Sequence, residues 1–211
     1  FPRFLFNSLY VSVFTALFTL IISSISGYGI ARNRKLRVGL VSKFLLFIYV
    51  FPTVVLLVPI YKLFTSMGLY DNLFGLIIIY TALVSPFCTW LLVSFFENIP
   101  RELEESAGID GAGTFTTFTR IVIPLASPGL VTAGAYSFIT AWGEYMFALI
   151  LMSSNLKKTG PLGLATFTAE QYIEWGPLLS GSILIMIPVF ILFMPVSGYF
   201  IKGFTAGAVK E

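Results

Sequence analysis

The 211 residues are 57% hydrophobic and 11% charged, with 22 Phe and a mean hydropathy of +0.90, a composition that excludes an ordinary soluble domain and fits a polytopic membrane protein. The chain has no histidine, which excludes histidine triads, the usual zinc sites and histidine acid-base chemistry, and its lone Cys88 cannot form an intrachain disulfide. The pI near 9.0 reflects an excess of three positive charges with no basic run interleaved with aromatics, which points to membrane orientation and not to nucleic acid.

Five apolar runs, 7–31, 44–64, 73–96, 130–152 and 178–200, are each long enough to cross a bilayer, since about 20 helical residues match a hydrocarbon core of roughly 30 Å. They are expected to be helical because backbone groups in lipid need internal partners, and none shows the alternation of a barrel strand. The chain starts at Phe1 with no basic segment ahead of a short apolar core, so no signal peptide is expected and the sequence reads as part of a longer chain.

The first span is rich in small residues, Ser8, Ser12, Ser23, Ser24, Ser26, Gly27 and Gly29, which serve close helix packing or line a pore. In the second, Pro52 and Pro59 are expected to bend or unwind the helix. The loop 62–72 reads as an interfacial turn with Tyr70 as its anchor. The third span carries Pro86 and Trp90.

Between the third and fourth spans lies a polar island, 97–128. Pro100 to Gly108 reads as a short helix with Pro at its start, three carboxylates near its positive end, and Gly108 as its stop. Asp110 and Gly111 predict a turn, Gly113 or Thr114 opens a second helix through Arg120 and Ile121, and Pro124 and Pro128 bar regular continuation into the fourth span. A solvated connector is the plain alternative.

The fourth span contains Glu144, which counting from Pro128 lies about 16 residues in, roughly 24 Å along the helix and in the outer half of the bilayer. An acid at a helix centre costs about 2.5 to 3.5 kcal/mol, so it is expected to face the bundle interior or water, through a helix-to-helix hydrogen bond or substrate contact. A long connector, 153–177, begins Ser153-Ser154-Asn155 and includes an amphipathic-looking stretch through residues 169–172. The last span is expected to be broken by Pro188 and Pro195, with a short basic tail after it. With 97–128 cytoplasmic, nine basic residues fall inside (Arg32, Arg34, Lys35, Arg37, Lys43, Arg101, Arg120, Lys202 and Lys210) and four outside (Arg3, Lys62, Lys157 and Lys158), as the positive-inside rule requires. This orientation puts Phe1 outside, so a relative with a cytoplasmic start needs one further span before it.

Glu105-Ser106-Ala107, Gly111 after three residues, then Ile121, Ile123 and Pro124 after nine more, resembles the cytoplasmic EAA loop of ABC importer permeases. Ser106 stands where the family prefers Ala, Ile123 where it prefers Leu, and Gly113 where many relatives carry a Ser or Thr cap. Phe51-Pro52-Thr53 and Pro59-Ile60-Tyr61 resemble the matching helix of sugar permeases. Trp142-Gly143-Glu144 resembles their Trp-Asn-Glu segment, with Gly143 replacing Asn, and the Gly203 to Lys210 ending looks like that of maltose-type permeases.

The resemblance, to the maltose-type carbohydrate-uptake branch, runs over nearly the whole chain and implies an all-α polytopic helix bundle of the type I permease fold. Five transmembrane helices would lie in this sequence and six in a full chain, forming a single domain over 1–211. It implies a non-catalytic subunit that binds no cofactor, with ATP and Mg on a separate pair of ATP-binding subunits, and the chain indeed lacks a phosphate loop ending in Gly-Lys-Ser or Gly-Lys-Thr. A second related permease, an extracytoplasmic substrate-binding protein and a sugar complete the partners, in a prokaryotic cell membrane. By the same resemblance Glu104, Glu105, Ser106, Ala107, Gly108, Asp110, Gly111, Ile121 and Pro124 couple to the ATPase, Leu103 and Ala107 share a docking face, Tyr136, Trp142, Glu144 and Tyr145 are candidates for the substrate path, and Ser153, Ser154 and Asn155 for contact with the binding protein. The alternatives are a channel or gradient-driven carrier using Glu144, a scaffold, and an intramembrane enzyme, the last disfavoured because no base and nucleophile pair is evident.

Overall fold

The computed structural model describes residues 1–33, 40–169 and 172–208. Helix α1 (Pro2–Arg32) begins with Pro at a position where no N–H is needed and extends about 46 Å over its 31 residues. Its small residues recur at helical spacing and turn one face inward: Ser8, Ser12, Thr15, Thr19, Ser23 and Gly27 are all buried. That stripe packs along α4 (Leu73–Glu97) and α7 (Ser127–Gly143). A Cβ at Gly27 would lie 3.3 Å from both Leu92 Cβ and the Thr89 carbonyl oxygen, so glycine sets the closeness of this crossing. Ser26 and Gly29 lie on the exposed side.

Between α1 and α4, the second expected span is not one helix. It comprises α2 (Leu40–Val50), a 3₁₀ turn (Thr53–Leu56) and α3 (Leu57–Ser66). Pro52, extended at φ −63° and ψ 107°, sits in the break, where it lacks an N–H and keeps Phe51 out of helical geometry. Pro59 falls in the first turn of α3, where a missing donor costs nothing. Pro86, by contrast, lies inside an unbroken α4. Ser85 beside it donates to the Thr81 carbonyl at 2.6 Å, and the Ser85 carbonyl accepts Ser23 Oγ at 3.2 Å.

The polar segment folds as α5 (Arg101–Ile109) and α6 (Thr114–Leu125), the latter bent by 78° against α7. The fourth expected span is also interrupted: α7 ends at Gly143, and α8 (Met146–Leu151) resumes after two residues. The connector beyond holds a 3₁₀ turn (Asn155–Lys157), α9 (Gly160–Leu164) and an antiparallel pair, β1 (Thr168–Ala169) with β2 (Tyr172–Ile173), the one strand pairing among the described residues. The pairing replaces the amphipathic stretch expected there, whose Glu170 and Gln171 lie outside the described residues. Helix α10 (Trp175–Ala208) then runs unbroken through Pro188 and Pro195. The expected break fails because each proline frees one carbonyl, whereas unwinding in an apolar setting would free many groups.

Among the described residues, α1, α4 and the Trp175–Met194 part of α10 are single helices long and apolar enough to span a membrane. The second and fourth runs reach that length only as broken pieces. Arg34, Lys35, Arg37 and Lys210, which contribute to the charge asymmetry, lie outside the described residues. Buried apolar side chains form two clusters, one around Val11, Leu76, Tyr80, Phe147 and Leu151, the other around Ile30, Cys88, Leu92, Phe96 and Val122 near the polar segment.

Candidate functional site

Three places in the bundle bring expected site residues together, beginning with the polar segment. Helix α5 starts after Pro100 and places Glu102 and Glu104 in its first turn, where the exposed N–H groups favour negative charge. It runs past Gly108, the expected stop, to Ile109. The stop is Gly111, at φ +84°: its N–H bonds to the Gly108 carbonyl at 3.1 Å, and the Ala112 N–H bonds to the Ala107 carbonyl at 2.9 Å. This is the paired closure of a left-handed helix end, which glycine adopts at least cost. A π-helical turn, Phe118–Val122, precedes Pro124 in α6. A widened turn gives room to a ring that would otherwise meet the carbonyl four residues back.

The segment sorts its side chains into two faces. Glu105, Ser106, Gly108, Asp110, Gly111 and Pro124 are exposed, and Ile121 is half-buried. Ser106 Oγ is turned back on the Glu102 carbonyl at 2.7 Å. Ala107 is 8% exposed and packs inward, so it does not share an outward face with the 44% exposed Leu103 as the spacing of four suggested. The apolar side chains that project farthest are Ile109, 87% exposed, and Phe115, 79% exposed. Neither was expected as a contact, and the signal was their placement as bulky apolar residues in an otherwise polar stretch. Glu104 turns inward, accepting Tyr28 Oη at 2.6 Å and Arg32 Nε at 2.6 Å.

A cavity of about 450 Å³ lies between α2, α4 and α7. Phe44, Phe47, Tyr49 and Phe51 line one side, and Tyr136, Thr140 and Glu144 the other. The Tyr49 and Tyr136 hydroxyls are 3.1 Å apart, and both rings pack on Phe87, with centroids 4.9 and 4.5 Å away. Of the four residues expected on a path, only Tyr136 and Glu144 line the cavity. Trp142 is 3% exposed, donates from Nε1 to the Ile185 carbonyl at 3.0 Å, and stacks on Phe138. Residues 136 and 140 are four apart and share a face, whereas 142 lies about 200° round the helix from 140, towards α10. Tyr145 packs at the margin of the first core cluster.

Glu144 sits in the break between α7 and α8, with extended backbone at φ −72° and ψ 133°. Its Oε1 accepts the Phe147 N–H at 2.9 Å, and Oε2 accepts the Ala148 N–H at 3.2 Å and the Tyr80 hydroxyl at 2.5 Å. The side chain therefore caps α8 from within the bundle and ties it to α4. Tyr80 carried no signal in the sequence, since nothing there pairs it with a residue 64 positions on.

At the opposite end from the polar segment, the start of the connector is pinned. Asp71, at φ 51°, accepts the Ser153 and Ser154 N–H groups on Oδ1 at 3.1 and 3.0 Å, and its Oδ2 lies 3.1 Å from Lys157 Nζ. Burial acts to raise the Asp71 pKa, but the Ser154 N–H, the Lys157 ammonium and the Ser153 N–H outweigh it and hold the carboxyl below its ordinary 3.8. Asn7 Nδ2 donates to the Leu156 and Lys158 carbonyls at 3.0 and 2.9 Å, and Arg3 Nε to the Leu156 carbonyl at 3.0 Å. Ser154 Oγ accepts the Leu156 N–H, whereas the Ser153 and Asn155 side chains are exposed.

The model of the family described as binding-protein-dependent transport system inner membrane component matches residues 19–206. The chain is 37% identical, over 98% of its length and 73% of the relative's, to the sulfoquinovosyl glycerol transport system permease protein SmoH of Agrobacterium fabrum. It is 33% identical to the trehalose/maltose transport system permease protein MalG of Thermococcus litoralis, over 100% of this chain and 76% of that one. Its fold matches a crystal structure of a bacterial ABC transporter involved in the import of the acidic polysaccharide alginate, with a TM-score of 0.76 and 28% identity over 95% of this chain and 75% of the other. The chain belongs to the family of inner-membrane components of binding-protein-dependent transport systems.

Proposed function

We propose that this chain is the permease subunit of an ATP-driven importer for a sugar or oligosaccharide, forming half of the translocation path and taking its energy from a separate pair of ATP-binding subunits. The observation that carries this reading is the folded form of the 97–128 segment. A short helix, closed by Gly111, projects Glu105 and Ile109 from one end of an apolar bundle, and Phe115 projects beside them from the start of α6. Apolar groups with an acid beside them suit a cleft on a partner, where a charge-assisted hydrogen bond from an Arg to Glu105 contributes about 1.5 to 3 kcal/mol. That is enough to fix register and too little to drive transport, which leaves the work to ATP on the partner, with its Mg.

In this reading the 97–128 segment and the C-terminal end are cytoplasmic, and the connector pinned by Asp71 faces an extracytoplasmic binding protein through Ser153 and Asn155. A second, related permease completes the path. The aromatic cavity between α2 and α7 supplies apolar faces for sugar rings, with the Tyr49 and Tyr136 hydroxyls and Glu144 at its margin. The carbohydrate class draws on the names of the relatives. A gradient-driven carrier with Glu144 as coupling acid is the weaker reading, because both oxygens of that side chain already accept donors of the fold.

The test is purification of the chain from its own membrane in mild detergent, with mass spectrometry of what accompanies it. Recovery of an ATPase and a second permease is the expected result. A chain recovered alone would sink the reading. Glu105→Arg is expected to preserve insertion while uncoupling ATP hydrolysis from uptake.

A further inference from the structure

The 97–128 segment is joined in sequence to α4 and α7, which makes the bend before α7 the obvious route for its movements. The structure adds a second connection, to a helix some 70 residues away in sequence. Tyr28 and Arg32, four apart on the last turns of α1, both reach the Glu104 carboxylate on α5. Arg32 Nη2 also forms an ion pair with Glu104, and the two side chains are only 16% and 15% exposed. The arginine is held on its other side, with Nη1 donating to the Phe96 carbonyl at 2.9 Å and Nη2 to the Ile99 carbonyl at 3.3 Å. In return, Arg101 of α5 donates to the Arg32 carbonyl at 3.0 Å, taking up one of the acceptors that the end of α1 leaves without a helical partner.

Beneath these bonds the rings of Tyr28, Phe96 and Phe118, from α1, α4 and α6, pack with centroids 4.9 to 6.4 Å apart. Each of the four helical elements around this point thus contributes a bonded or stacked side chain. A surface ion pair between two flexible chains would slip under load, whereas this one is largely shielded and held in place by neighbouring carbonyls.

From this we infer that Glu104 is not a contact for the ATPase but an internal positioning residue: with Tyr28, Arg32 and Arg101 it fastens the α5 coupling helix to α1, so that α1 and α4 move with α5 as one body during the cycle. The inference rests on the importer reading. It explains why adjacent acids point opposite ways, Glu104 into the bundle and Glu105 outward.

The experiment uses the complete complex purified from its own membrane, with phosphate release from ATP and the amount of bound ATPase both measured. Arg32→Ala and Glu104→Ala are each expected to lower turnover about tenfold with the ATPase still bound, and the double variant to be no worse than the worse single one. In a Cys88→Ser background, Arg32→Cys with Glu104→Cys is expected to behave like the alanine pair until a short bis-maleimide bridges the two thiols. Bridging then restores turnover to within about twofold, because a permanent tie is all that the proposal requires. Single variants that turn over like the unaltered chain overturn the proposal. So does a bridge that silences the complex, which would mean that the contact must open. Loss of the ATPase from the single variants, not repaired by bridging, would make Glu104 a partner contact and leave the importer reading standing. Absence of the ATPase from the unaltered preparation would overturn both.

Discussion

The Tyr80 hydroxyl donates to Glu144 Oε2 at 2.5 Å across the gap between α4 and the α7–α8 break. The same carboxylate takes the two backbone N–H groups that open α8. A broken span inside an apolar bundle exposes donors that lipid cannot satisfy, and here one acid satisfies two of them while anchoring the break to a neighbour. The cost of placing an acid at this depth is thereby offset by the groups it partners.

Glu144→Ala should strand those donors and the tyrosine hydroxyl, for a loss of about 3 kcal/mol, combining a cap worth about 1 kcal/mol with buried unpaired groups at 1 to 3 kcal/mol. Tyr80→Phe leaves the cap intact and should cost about 1 kcal/mol. Thermal unfolding of the detergent-solubilised complex reads both. An alanine variant as stable as the original would remove the capping role.

Gly111 and Gly108 make opposite predictions within four residues. Gly111 occupies φ +84°, so Gly111→Ala should cost about 1 to 2 kcal/mol locally and misalign α5. Gly108 lies inside α5, and a Cβ there meets nothing within 4 Å, so Gly108→Ala should strengthen the helix by about 0.5 to 1 kcal/mol. The retained amount of co-purifying ATPase is the measurement: it should fall for Gly111→Ala and hold for Gly108→Ala, and the reverse order would contradict the assignment of the helix stop.

The cavity gives a prediction about substrate. Tyr136→Phe keeps the ring against Phe87 and loses only the hydroxyl facing Tyr49, whereas Tyr136→Ala removes the wall. A stacking contact is worth about 0.5 to 1.5 kcal/mol, so uptake of a labelled disaccharide by the intact transporter should fall about tenfold for Tyr136→Ala and about twofold or less for Tyr136→Phe. Equal uptake by both variants would place the path elsewhere.

Legibility in the sequence followed the range of the interactions. Local chemistry was readable: the apolar runs at 7–31 and 73–96 became α1 and α4, and Asp110-Gly111 became the turn after α5. The spacing at 105–124 carried the family because its geometry is contained in one segment. Partners distant in sequence were not readable. Glu104 looked equivalent to Glu105 until α1 was packed beside it, and Tyr80 had no visible link to Glu144. Proline was ambiguous for a related reason: its missing N–H breaks the chain at Pro52 but not at Pro86, Pro188 or Pro195, and the choice depends on whether the neighbouring chain can stay helical. Trp142 was expected on the path from the resemblance of Trp142-Gly143-Glu144 to a family segment, and helix geometry turned it to the other side.

The Asp71 clamp predicts a response to acid. Its carboxyl is held below the ordinary 3.8 in the folded protein, mainly because bonds from the Ser154 N–H, Lys157 and the Ser153 N–H outweigh burial, so protonation opposes the clamp. The folded state binds this proton less readily than the unfolded one. The stabilising contribution is therefore complete above the unfolded pKa of 3.8 and is lost as pH falls through the lower folded value. Protease cleavage of the connector in the purified complex should be slow and level from pH 7 down to about 4, then quicken on further acidification, read with a protease active in acid. Asp71→Asn keeps an oxygen for the two N–H groups but loses the charge that holds Lys157, so its connector should be cut faster at pH 7 and show a flatter acid response. If the variant and the original respond alike, some other group releases the connector.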